Sequence, residues 1–406
     1  MLSVRTLYRL ACVGLCVAGM ARIVAAQPSV TVSPATVKIN PGETVTVNVL
    51  ANNISPLHPL HAADVAVSFD NTVITLTSSA VGGFLASGGA SVFSSPLVTS
   101  NTVTYNLAIL GAGMDVSGSG TLYSLTFTGA AKGISAITLT TVDLREFIAP
   151  DGQALISASS QGGNVTVGPT VANVKGYLQG PFASGSMSVA LRTASLVPLS
   201  QPYGGTPWSY GGTEAVASIP ASVVDWVLVE LRTGTGGATK VATRAAFIKS
   251  DGSIVDLDGS SAVAFPGTIA SGNYYIVVRH RNHLAVMSAG VVALSPTSGV
   301  YDFTTGTDKY YGADAKLLTG GVYGLYAGDV TGDGIVKYNG GSNDRLPILT
   351  KIGGGNVNTT VSGYWREDVN LDGIVKYNGG TNDRLIIFQV IGGTNVSSTK
   401  LTQVPN

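Results

Sequence analysis

Only two cysteines occur in 406 residues, and both, Cys12 and Cys16, lie close to the amino terminus. Beyond them neither a disulfide framework nor a cysteine-based zinc site can form. Charge is scarce as well: Asp, Glu, Lys and Arg make up 11% of the chain, against about a quarter in an ordinary soluble domain. Glutamate occurs five times, at Glu43, Glu146, Glu214, Glu230 and Glu367. Glycosidases need two carboxylates across the scissile bond, and neither Glu214 nor Glu230 is paired with a second acid by spacing. The sequence also lacks a nucleophile elbow, a metalloprotease helix and a phosphate-binding loop. A non-enzyme is expected, with a hydrolase hidden in the middle of the chain as the weakest alternative. Basic residues are not in excess, 23 against 23 acids, which excludes the positive face that nucleic acid requires. After residue 26 no apolar run reaches about 18 residues, so no transmembrane segment is expected.

What is present begins with a leader. Arg5 and Arg9 precede the apolar run Leu10 to Ala21, and Val24-Ala25-Ala26 offers small residues before Gln27. Residues 1–26 therefore read as a signal peptide and the protein as secreted, extracellular or associated with the cell surface. The leader holds both cysteines, three arginines and no acid, so its removal leaves a thiol-free chain with a net charge near −3. The remainder is rich in Gly, with 52 residues, and in Val, Thr and Ser, the composition of many short strands joined by tight turns. The fold class expected is mainly β, in several domains.

From residue 27 to 168 apolar and polar residues alternate as in half-buried strands: Val30-Thr31-Val32, Thr44 to Val49, Val65 to Phe69, Thr102 to Ala108, Thr121 to Phe127, Ile137 to Thr141 and Asn164 to Val167. Asn40-Pro41-Gly42, Asp70-Asn71 and Asp151-Gly152 punctuate them as turns, at a spacing suited to a two-sheet sandwich. The order of features, a Pro-Gly-Glu turn before a Val/Thr strand, Phe69-Asp70 followed by Val73 and Ile74, then Gly120 to Phe127 and a late Asp-Gly turn, resembles a cohesin domain. That resemblance implies a jelly-roll β-sandwich with one sheet face that binds a dockerin module. A generic immunoglobulin-like or adhesin sandwich is the alternative.

Residues 169–318 read as a second β-rich, sandwich-like domain. Its strands are expected at Val174 to Leu178, Val223 to Leu231, Ala245 to Ile248 and Tyr274 to Val278. It is similar to modules that accompany dockerin-type or sorting domains in secreted bacterial proteins, and no activity follows from that. Tyr203, Trp208 and Tyr210 lie in a Gly/Pro-rich loop, where flat rings suit sugar stacking but equally suit covering a sheet end. Two His-x-x-His pairs, His58/His61 and His280/His283, lack the further ligands a zinc site needs.

The most specific signal is a duplication. Asp329 to Gly354 and Asp368 to Gly393 agree at 19 of 26 positions, 39 residues apart. Each copy opens like an EF-hand-type calcium loop, with oxygen-bearing residues at alternate positions and a turning Gly at the sixth. A short helix is expected after each, Asp344 to Ile352 and Asp383 to Ile391, ended by Gly-Gly. Two such units resemble a dockerin, within a small α-helical module over 319–406. The resemblance implies two Ca2+ ions. One would be held by Asp329, Thr331, Asp333 and the Ile335 carbonyl, the other by Asp368, Asn370, Asp372 and the Ile374 carbonyl. The twelfth position, where an acid closes an EF-hand loop, is Gly340 or Gly379. A four-residue insertion is inferred, with Asp344 and Asp383 swinging back as closing ligands; Asn339, Asn343, Asn378 and Asn382 are further candidates. Together these features imply a non-catalytic scaffold or adaptor of polysaccharide-degrading assemblies, joining dockerin-bearing to cohesin-bearing proteins or binding itself. A carbohydrate-binding or adhesin-like surface protein, with polysaccharide as partner, is the second reading.

Overall fold

The computed structural model describes residues 26–111, 113–148 and 152–406. Both cysteines, nearly all of the expected signal peptide and Asp151 of the late turn lie outside the described residues. Among these, no helix is long and apolar enough to cross a membrane.

The N-terminal region is a two-sheet β-sandwich. One sheet runs Ser159–Gln161, Ser29–Ser33, Thr44–Ile54, Gly118–Gly129, Ile74–Val81; the other runs Thr36–Ile39, Gly163–Val167, Gly133–Ile148, Ala62–Ser68, Thr102–Leu110, Ser91–Val98, with Gly152–Ile156 paired to the long Gly133–Ile148 strand. Every strand read from alternation is present. Those missed include Ile74–Val81 and Ser91–Val98, whose Ser- and Thr-rich stretches show no clean apolar face. The first and last strands pair in parallel in both sheets, Val30 with Ser160 and Val37 with Val165, so the domain closes on its own ends. Val47, Val49, Val65, Val103, Tyr105, Leu125 and Phe127 fill the space between the sheets. Burial of this kind contributes about 1.5–3 kcal/mol for each large side chain.

The middle region departs from the expected second sandwich. Residues 171–302 form one network of nine strands centred on Val223–Arg232 and Lys240–Lys249. All ten residues of Val223–Arg232 are buried. A strand buried on both faces needs a cover on each, and among the described residues segments outside the main sheet contribute to it. Leu178, Met187, Leu191, Val197 and Tyr203, outside the main sheet, share one apolar cluster with Trp226 and Phe247, and Leu371 of the C-terminal repeat joins it.

Each C-terminal repeat gives a loop, a short strand, a helix and a trailing strand. The helices are Arg345–Lys351 and Asp383–Val390, close to the expected spans. Pro347 lies in the first turn of its helix, where its missing N–H costs nothing. The strands pair crosswise: Ile335–Lys337 of the first repeat with Thr399–Leu401 of the second, and Ile374–Lys376 of the second with Thr360–Ser362 of the first. Each copy thus supplies the other with a pairing strand.

Candidate interaction faces and cation loops

Alternation along the strands decides what the seven-stranded sheet shows to solvent. Val103, Tyr105, Leu107 and Ile109 point inward, so Thr104, Asn106 and Ala108 point outward. In register with these lie Ala62, Asp64 and Ala66 on one neighbour and Phe93, Ser95 and Leu97 on the other. The result is a flat face of small residues with a charged centre, where Arg145 bridges Asp64 at 3.3 Å and Asp143 at 3.8 Å. Phe93 and Leu97, 52% and 63% exposed, flank one side, and Leu155, 68% exposed, the other. The opposite sheet presents hydrogen-bonded Thr pairs instead, Thr46 with Thr126 and Thr77 with Thr128.

The duplicated loops carry equivalent geometry. Asp329 accepts hydrogen bonds from the Gly332 and Gly334 N–H groups, and Asp368 accepts from Asp372 and Gly373. Gly334 and Gly373, at φ +82° and +85°, occupy the left-handed region that turns those amides toward the first Asp. Asp344 reaches back to the N–H groups of Thr331 at 2.9 Å and Lys337 at 2.7 Å; Asp383 reaches those of Val369 at 2.6 Å and Lys376 at 2.7 Å. The acid after the insertion does return to its loop in both copies. Asn343 and Asn382 have another task. Their side-chain oxygens accept from Leu346 and Leu385 and cap the two helices. Asn339 accepts from Arg345, and Asn378 donates to Asn358.

Four carboxylates are thereby buried in two facing pairs. Burial raises Asp329 and Asp383 to about 7, and Asp344 and Asp368 to about 6, with neighbouring carboxylates adding to the rise. Buried oxygen donors that repel one another suit a hard cation, and the donor set fits calcium in kind. Asp333 and Asp372 are turned to the Ile335 and Ile374 amides, and Asn370 bonds Asp372. Among the described residues no three His, Cys, Asp or Glu side chains converge as a ready metal centre.

Compared with known families, residues 30–167 match the cohesin domain model. This stretch is a cohesin domain. As such it is a non-catalytic protein-interaction module. Among solved structures the chain is similar to a non-cellulosomal cohesin from the archaeon Archaeoglobus fulgidus, at 15% identity over 35% of this chain and 91% of that one, TM-score 0.29. It is also similar to a ScaB type I cohesin of Pseudobacteroides cellulosolvens, at 17% identity over 35% and 92%, TM-score 0.30. A third is the cohesin CaCohA2 of Clostridium acetobutylicum, at 22% identity over 35% and 92%, TM-score 0.28. No curated protein matches the chain.

The cohesin domain meets the middle region through a thin seam: Lys38 Nζ donates to the Ile269 carbonyl at 2.9 Å and approaches Thr170 at 3.5 Å. The C-terminal module is joined very differently. Asp225, fully buried, accepts from Arg281 Nε at 2.8 Å, from Tyr364 Oη at 2.5 Å and from its neighbour Trp226, and His280 lies 3.1 Å away. Burial alone would raise this carboxyl, but Arg281, His280 and Tyr364 hold it well below the usual range. Arg281 also bonds the Trp365 carbonyl and lies over the Tyr364 ring, and Asn282 donates to the Arg366 and Asp368 carbonyls. His280 and His283 face one another at 3.0 Å, and burial holds the pKa of both rings below the ordinary value. Nothing in the pattern singled out this network, although one signal was there: a lone Asp inside Val-Val-Asp-Trp-Val-Leu-Val demands a buried partner.

The other sequence candidates separate. His58 and His61 bind different carboxylates, Glu146 at 2.9 Å and Asp115 at 2.7 Å. Of the three aromatics, Tyr203 must be withdrawn as a stacking surface. It is fully buried, with its hydroxyl donating to the Trp226 carbonyl at 2.7 Å. Trp208 and Tyr210 remain partly exposed and line one cleft.

Proposed function

We propose that the chain is an extracellular, non-catalytic adaptor. On this reading the cohesin domain takes a dockerin-bearing partner on the outer face of its seven-stranded sheet, and the duplicated module, ordered by two calcium ions, engages a cohesin-bearing partner. The carrying observation is the cohesin match over 30–167 together with a flat face that has exposed Phe93, Leu97 and Leu155 around the Asp64–Arg145–Asp143 centre. Exposed apolar side chains around a charged cluster can anchor a protein interface. One of the similar solved structures is a type I cohesin–dockerin complex from Clostridium thermocellum, and dockerin is accordingly the partner class to try first. Asp329, Thr331, Asp333 and Asp344, and Asp368, Asn370, Asp372 and Asp383, would hold the ions, with the Ile335 and Ile374 carbonyls as backbone donors. Calcium would supply the charge that four buried carboxylates otherwise lack. Polysaccharide degradation enters only as the setting in which such adaptors assemble enzymes.

The test is calorimetric titration of the full chain with a panel of isolated dockerins in calcium. Binding is expected, and Leu97→Asp should weaken it by about tenfold or more while leaving thermal unfolding of the sandwich unchanged. Silence across the panel, or affinity indifferent to Leu97→Asp, sinks the assignment of the face.

A further inference from the structure

The fold builds a cleft away from the cohesin face, beside the first cation loop. It encloses about 600 Å3 between the middle sheet, the aromatic loop and the first repeat, a size typical of small-ligand sites. Trp208, Tyr210, Glu230, Arg279, Lys240 and Asp333 are among the side chains that line it.

Three properties narrow the ligand. First, the charges are mixed and partly cancelled: Glu230 accepts from Arg232 Nε at 2.5 Å and Arg279 Nε at 3.2 Å. Neither a phosphate nor a strongly basic group finds a field of one sign there. Second, the lining is mainly polar side chains and glycine backbone, which argues against a lipid or an apolar peptide. Third, the site is pre-ordered yet has free hydrogen-bonding capacity. Tyr210 is fixed by donating to Glu214 at 2.5 Å, and Trp208 is held edge-on by Tyr203, with ring centroids 5.1 Å apart, and by Arg366 over its ring at 4.8 Å. Among the described residues, the Trp208 indole N–H, the terminal guanidinium nitrogens of Arg279 and the Lys240 ammonium have no hydrogen-bond partner. Rigid aromatic edges combined with unspent donors and a carboxylate acceptor match a molecule that has C–H faces and vicinal hydroxyls, which both donate and accept.

We infer that the cleft between the middle domain and the first repeat binds a neutral oligosaccharide, with Trp208 and Tyr210 as its apolar wall and Arg279 and Lys240 as its hydrogen-bonding groups. This site shares no residue with the cohesin face, and it borders the first cation loop through Asp329 and Asp333.

The experiment is titration of the full chain, followed by calorimetry and tryptophan fluorescence, with gluco-, xylo-, manno-, galacto- and N-acetylglucosamine hexasaccharides up to about 5 mM. At least one is expected to bind. Arg279→Gln and Lys240→Ala are each expected to weaken it by about fivefold to tenfold, and Trp208→Ala by more. Lys240 is exposed and its replacement leaves the core intact, so its effect is readable even where Trp208→Ala impairs folding. No binding by any of the five classes overturns the inference. So does binding that neither Arg279→Gln nor Lys240→Ala alters.

Discussion

The two ends of this chain are attached to its middle by opposite means. The cohesin domain keeps its apolar core to itself and touches the next region through Lys38 and a short linker. The C-terminal module exchanges core residues with the middle sheet: Leu371 enters the middle cluster, and Leu284 of the middle region enters the module's cluster. A buried ion pair with its hydrogen-bonded partners spans the same joint. An arrangement of this kind makes residues 169–406 one cooperative unit and leaves the cohesin domain a separable one. Calorimetry of the full chain should therefore show two transitions, and substitutions should sort between them.

The largest displacement is expected from breaking the buried pair. Arg281→Met strands the Asp225 carboxylate without its cation, and removal of one partner of such a pair costs about 3–5 kcal/mol. The transition of residues 169–406 should fall accordingly while the cohesin transition stays in place. A shift of both together would mean that the seam at Lys38 couples the domains more strongly than its geometry implies.

Leu371→Ala comes next. This side chain is fully buried in the middle cluster, and its neighbours would close only partly on the gap, at a cost of about 2–4 kcal/mol. The residue at the same place in the first copy is Gly332, against Pro207 and Arg366. The repeats are alike in sequence, yet among the described residues it is the second, through Leu371, that places a buried side chain in the middle cluster. Equal loss from substitutions that perturb either loop would break that distinction.

Calcium should act on the same unit. An ion bound only by the folded state at about 100 times its Kd adds about 2.7 kcal/mol per site, read as a rise in the second transition that a chelator reverses. Asp383→Asn and Asp344→Asn should each remove one of two binding steps in a calcium titration. Two steps surviving in both variants would discard these acids as ligands.

Much of this was legible beforehand, and the reasons are physical. Strands with a strict inward face, such as Thr102–Leu110, announce themselves by alternation, and duplication exposed the loops, the helices and the returning Asp344 and Asp383. The strand Ser91–Val98 stayed hidden because an edge strand with Phe93 and Leu97 facing solvent does not alternate. Tyr203 was misjudged because a Gly/Pro-rich setting marks a loop but not the direction in which its rings point. The Asp225 network depends on residues up to 139 positions apart, a separation no local pattern carries.

The smallest effect expected is on pH dependence, and its sign follows from the histidines at the joint. His280 faces Asp225 and His283, and His283 faces His280, the Asn282 side chain and the Gly180 N–H, with the Arg281 cation close by. Both rings are held below their ordinary pKa by burial. In the unfolded chain they take up protons near pH 6.5, whereas in the folded chain they resist. The unfolded state then binds more protons below that pH, so stability is present above it and declines as the solution is acidified. With calcium saturating, the transition of residues 169–406 should drop on going from pH 7 to pH 5, and His283→Asn should flatten that slope. Asp225, held below its ordinary range, adds a further loss only at more acidic pH, below its unfolded value. The cohesin domain lies outside this joint and keeps a separate core. Its transition should be insensitive over the same interval, and a parallel decline in both would show that the acid response does not originate at the buried pair.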